Sequence, residues 1–155
     1  MLSCYDLNCF PLFDGVDEHA LSLLARYADF KRFRAGETIF TEGEKTGALC
    51  LIKEGSVKVS RLIRGGESQN LGILEKGMYV GAVSLIDEKA HSASVIAVND
   101  VVTVQIDCQG FRELAQTDPA AATKIMRAIT ASLCSYLRKM DAKFIDMVQY
   151  VAQAK

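Results

Sequence analysis

The sequence holds only two prolines and two histidines in 155 residues, has no excess of either charge, and contains no apolar run long enough to cross a bilayer. Scarce proline, with no Ser-rich or Gln-rich tract, excludes the composition of linkers and disordered tails. Half the residues are apolar, enough to offset chain entropy by burying a core. A formal net charge of −1 gives no long-range attraction for a polyanion, so nucleic acid is not an expected partner. Nothing near Met1 has the charged start and apolar stretch of a secretory signal, so the expected location is cytoplasmic, without a membrane partner. His19 and His91 are the only histidines, and there is no H-x-H pair, Cys/His cluster or nucleophile motif. Metal sites and catalytic residues are therefore expected to be none, and the chain does not read as an enzyme. Gly65-Gly66 lacks the G-x-x-x-x-G-K pattern of a phosphate loop. The five cysteines are odd in number, scattered and without a C-x-x-C pair, so they read as reduced structural thiols, with Cys4 and Cys9 nearest the surface.

What is present fits one domain. Val16, Ala20, Leu21, Leu23, Leu24 and Tyr27 recur at helical spacing, and Asp17 and Glu18 lie where a first turn favours negative charge, which predicts a helix over 16–27. Phe10-Pro11-Leu12-Phe13 before it reads as a turn or short helix. From Phe30 to Asp107 short runs of Val, Ile and Leu alternate with glycine-bearing turns. The strands expected there are 29–34, 37–40, 48–53, 56–64, 68–75, 92–97 and 101–107. Glu54-Gly55 and Gly65-Gly66 sit where hairpins need positive φ. After Gln109-Gly110, residues 111–116 read as a short helix, and Asp118-Pro119 as the N-cap and first residue of a long one. That helix has no further proline or glycine, and Met126, Ile129, Leu133, Tyr136, Met140, Met147 and Tyr150 follow a heptad-like rhythm that breaks at Lys143. One small β domain cannot cover such a stripe, so a homodimer through this helix is expected; the alternative is a helix folded back on its own body.

Four signatures in order then resemble the cyclic-nucleotide-binding domain family, which includes bacterial catabolite activator proteins and protein kinase A regulatory subunits. They are Phe10-Pro11-Leu12-Phe13, the stretch Ala35–Glu44 (AGETIFTEGE), Leu51–Val57 (LIKEGSV) and Leu74–Gly81 (LEKGMYVG). The resemblance implies a mainly β fold with flanking helices, a double-stranded β-helix or jelly roll, with residues 1–118 forming the N-terminal helical segment and roll and 119–155 the dimerisation or lid helix. It also implies a phosphate-binding cassette, which in the family reads Gly-Glu-x-Ala-Leu, a short turn, then Arg-Ala/Ser-Ala-x-Val. Here the stretch is Gly81-Ala82-Val83-Ser84-Leu85-Ile86-Asp87-Glu88-Lys89-Ala90-His91-Ser92-Ala93-Ser94-Val95. Ala82 stands at the ribose-binding glutamate and His91 at the phosphate-binding arginine.

The expected ligand contacts are Gly81, Ala82, Val83, Ser84, His91, Ser92 and Ala93, with backbone amides and the Ser92 hydroxyl retained. Tyr136 falls where the family's lid would stack on a base, and equally in the stripe of an interface. Losing a buried arginine clamp costs about 2–5 kcal/mol, and losing the ribose acceptor about 1.5–3 kcal/mol. Histidine, mostly neutral at pH 7, does not replace the guanidinium fork. Affinity for cAMP or another cyclic nucleotide is thus expected to fall by roughly three to five decades. Lys89 could swing toward a phosphate, against its simpler reading as a solvated turn residue; His91 could be protonated by the phosphate's field, against a neutral, structurally satisfied ring. Two functions follow from the resemblance: a regulatory module with a weakened or altered nucleotide site, or a ligand-independent dimerisation and protein-interaction module with an unidentified protein partner. A truncated relative of a cAMP-dependent transcription regulator is the lesser reading, because DNA-binding members continue into a helix-turn-helix and this sequence ends at Lys155.

Overall fold

The computed structural model describes residues 2–153. Two short helical pieces open the chain, α1 (Cys4–Asn8) and a 3-10 turn (Pro11–Phe13), followed by α2 (Glu18–Ala25). Eight strands follow: β1 (Ala28–Phe33), β2 (Thr38–Phe40), β3 (Ala48–Glu54), β4 (Ser56–Leu62), β5 (Ser68–Glu75), β6 (Tyr79–Val80), β7 (Ser94–Ala97) and β8 (Val101–Asp107). A six-residue helix, α3 (Ala82–Asp87), lies between β6 and β7, and α4 (Cys108–Thr117) and α5 (Pro119–Gln153) close the chain. The strands form two antiparallel four-stranded sheets, ordered β1-β8-β3-β6 and β2-β7-β4-β5.

β3 shows why this is a two-layered core. Its Ala48–Ile52 run is buried at every position because the sheet is covered on both faces. Leu49 and Leu51 pack with Leu21, Leu24, Phe10, Phe13, Leu114, Ile125 and Ile129 in the layer beneath the helices. Ala48, Cys50 and Ile52 point the other way, to Phe40, Val57, Val95 and Ala97 between the sheets. Burial pushes the Cys50 thiol up to about 11, so it is an inert thiol of the roll interior. Cys9 and Cys134 are exposed and Cys4 is half-buried.

Local chemistry sets the corners. The β3–β4 hairpin turns at Gly55 with φ +82°, where a side chain would run into the Asp100 carbonyl oxygen. Asp17 caps α2 through the Ala20 amide at 3.0 Å, and Asp118 caps α5 through the Ala121 amide at 2.9 Å. α1 was not foreseen; it starts where the Asp6 carboxylate accepts from both the amide and the hydroxyl of Ser3, and Asp6 ties it to the roll through Lys53 at 2.7 Å. The Lys53 hydrogen bond holds the Asp6 carboxyl at about 2. β6 was likewise unforeseen. α4 begins at Cys108, three residues before the expected start, because Asp107 caps it by accepting from the Gly110 amide. Gly110 lies inside the helix, and glycine stands there because a Cβ would come within 2.8 Å of Tyr27 Cβ.

α5 divides in two. Ala121, Ala122, Ile125 and Ile129 are buried against the body, and Ser132 accepts a 2.7 Å hydrogen bond from the Tyr79 hydroxyl. Beyond Leu133 the helix leaves the body, and Tyr136, Leu137, Met140, Phe144, Ile145, Met147, Val148, Tyr150 and Val151 are 49–75% exposed. The distal half therefore does not fold back. Ile129 is buried in the protein's own core and Met126 and Leu133 are half-buried against it, so only the distal members of the expected stripe, Tyr136, Met140, Met147 and Tyr150, are exposed. Leu137, Met140, Phe144, Met147 and Val151 form a second exposed row at 3-4-3-4 spacing, with Lys143 beside it. The last two positions of the expected helix, 154 and 155, lie outside the described residues.

Candidate functional site: a cassette between β6 and β7

β6 pairs with β3 through Cys50 and Leu51 and delivers the chain to Gly81. Gly81 has φ +88° and ψ 0°, a left-handed conformation that starts α3. A side chain there would strike the Ala48 carbonyl oxygen and approach Phe40 Cε2 to 3.1 Å, so only glycine fits the corner. α3 then turns Ala82, Ser84 and Leu85 inward and leaves Val83 outside. Ala82 is buried in the apolar layer beneath the helices, and offers no acceptor. The helix ends at Glu88, the one non-glycine residue with positive φ among the described residues. Lys89 follows as a solvated turn residue, its side chain 81% exposed and its amide bonded to Asp87.

His91 is the inward residue of the second arm, 5% exposed. Its amide donates to the Glu44 carbonyl and its carbonyl accepts from the Gly43 amide, both at 2.9 Å. Its ring stacks on Phe40 with centroids 4.1 Å apart at 16°, and Nε2 lies 2.8 Å from the Thr46 hydroxyl. Ser92 is exposed and Ala93 half-buried; the neighbouring Ser94 hydroxyl accepts from the Glu42 amide at 3.0 Å. Glu42 in turn pairs with Arg61 at 3.5 Å and accepts from the Leu62 amide at 2.8 Å. Gly81, Ala82, Val83, Ser84, His91, Ser92 and Ala93 thus lie on the two arms of one loop-helix-loop. Tyr136 is not brought there: it is 62% exposed on the distal half of α5. Phe40, Glu44 and Thr46, the partners of His91, were missed in the sequence, where only their segment's likeness to a family signature showed.

Burial holds the His91 imidazole below its ordinary value, and the nearby Glu44 carboxylate only partly opposes this. With no ligand beside it the ring is therefore mostly neutral at pH 7. Because the unfolded chain takes up this proton first, stability rises with pH on approaching about 6.5 and falls as pH drops below it. Chemical denaturation across pH 5 to 7.5 is expected to show this slope in the native protein, and a smaller slope in His91→Gln.

Among the described residues no group of His, Cys, Asp and Glu could hold a metal ion, and no helix is long and apolar enough to cross a membrane. The model of the cyclic nucleotide-binding domain family matches residues 30–118. The cyclic AMP receptor protein of Thermus thermophilus is 29% identical over 140 residues, covering 90% of this chain but 62% of that protein. This chain therefore spans about three fifths of that regulator's length. The crystal structure of the Thermus thermophilus catabolite activator protein matches with TM-score 0.76 at 29% identity, over 90% of this chain and 63% of that one. A cyclic nucleotide-binding domain from Methylobacillus flagellatus shares the fold with TM-score 0.81 at 19% identity, over 92% and 83% of the two chains. With the jelly roll, the helix-bearing cassette and the family match over more than half its length, the chain belongs to the cyclic nucleotide-binding domain family.

Proposed function

We propose that the chain is a non-catalytic regulatory module whose cassette takes cyclic nucleotides such as cAMP weakly or not at all, and whose distal α5 pairs with a second copy. The observation that carries the first part is His91. A neutral ring already bonded to Thr46 and stacked on Phe40 stands where the family places a charged clamp. Ala82 removes the ribose acceptor as well. What supports residual binding is the unspent part of the cassette: Gly81, the amides around Val83, Ser84 and Ala93, and the exposed Ser92 hydroxyl. The five free thiols fit a reducing compartment, and we assign the module to the cytoplasm.

Dimerisation is supported by the seam on α5. A helix that projects Leu137, Met140, Phe144, Met147 and Val151 on one face into water exposes more apolar surface than an isolated helix retains. A symmetric pair of the same helices buries it with matched knobs and holes. A dimer that forms without ligand is the second reading of the whole chain, favoured by the internal contacts of His91.

Two measurements test these statements. Isothermal calorimetry with cAMP and cGMP is expected to give dissociation constants of about 1 mM or weaker, and micromolar binding would defeat the weakened-site reading. In sedimentation, the native chain is expected to run as a dimer and Phe144→Glu as a folded monomer; a native monomer removes the seam from the functional reading.

A further inference from the structure

Phe40 closes β2, and its ring lies between the two arms of the cassette. Toward the first arm it fills the space over Gly81, where even a Cβ would approach its Cε2 to 3.1 Å. Toward the second arm it carries the His91 ring in a near-parallel stack, 4.1 Å between centroids. Both rings are about 5% exposed. The Thr46 hydroxyl, 2.8 Å from Nε2, satisfies the polar edge of the imidazole, while Gly43 and Glu44 fix its backbone. One face of the ring and its Nε2 are therefore engaged by the protein's own groups: a flat face against a flat face, and a ring nitrogen against a hydroxyl.

These contacts supply the chemistry that a small planar ligand would need. A flat aromatic wall with one hydroxyl selects a planar ring that presents a nitrogen at a set distance. We propose that Phe40 is a positioning residue that, with Thr46, forms a slot for a planar nitrogen heterocycle, and that His91 fills this slot so that the chain's own imidazole orders the cassette in place of a bound ligand. The inference rests on the reading of residues 81–93 as the cassette. It goes beyond a missing clamp, because the replacement residue supplies the joint between the two arms. A ring tethered to the chain has a high effective concentration, so a free heterocycle enters only when the tether is cut.

The test is chemical rescue in the full chain. His91→Ala is expected to melt below the native protein, and free imidazole, at a pH where it is neutral, is expected to recover about half of that loss while leaving the native melting temperature unmoved. Adding Phe40→Leu to His91→Ala is expected to abolish the recovery. Imidazole that shifts neither protein, or shifts both equally, overturns the slot. Should His91→Ala not fold, Phe40→Leu with His91 retained gives a second readout: amide exchange across residues 81–93 is expected to quicken about tenfold while β3 and β8 stay protected, and unchanged protection overturns the proposal. No nucleotide enters either experiment. A failed rescue therefore removes the slot and leaves the weakened site standing, whereas micromolar nucleotide binding defeats the weakened site by a separate measurement.

Discussion

Contact across a single aromatic ring joins the two arms of the cassette. Phe40 touches the left-handed corner at Gly81 on one side and the buried imidazole of His91 on the other. Neither contact tolerates much change. The corner has no room for a side chain beside the Ala48 carbonyl, and the imidazole sits where its polar edge meets Thr46. The geometry of α3, and with it the set of amides and hydroxyls that could meet an anion, follows from where these arms are held.

The same corner is mechanically close to α5. β6 is only two residues long, pairs with β3 and ends at Gly81. Its Tyr79 hydroxyl donates to Ser132, one residue before the helix leaves the body at Leu133. β3 itself carries the helical layer on one face and the roll interior on the other. The proposed site and the proposed seam are thus separated by one strand and one hydrogen bond.

Much of this was legible in the sequence wherever a local rule decides. Asp118-Pro119 announced the start of α5, Gly55 the β3–β4 hairpin, and the order of glycine-punctuated strands the roll. The rule failed where a distant neighbour decides. Gly110 looked like a break before α4, yet it is helical under the Asp107 cap, and it is glycine because a side chain there would crowd Tyr27. β6 is two residues held by pairing to β3, too short to show a period. The expected stripe began too early because Ile129 fits a heptad on paper while the body buries it in three dimensions, which leaves only its distal members free. In the site, the positions of Gly81, Ala82 and His91 were readable from the cassette pattern. The partners of His91 were not: Thr46 is 45 positions away, and a ring stack or a hydroxyl contact leaves no periodic mark along a chain.

The His91 ring is buried and engaged by Phe40 and Thr46, and the proposed self-ordered cassette requires it to stay so when nucleotide is added. The most direct measurement is an NMR pH titration of the His91 imidazole carbon-bound protons, alone and with millimolar cAMP. A self-ordered cassette predicts a midpoint below about 6.5 that the nucleotide leaves in place. A midpoint above that value, or one drawn upward by cAMP, would mean that the ring meets solvent or the phosphate instead.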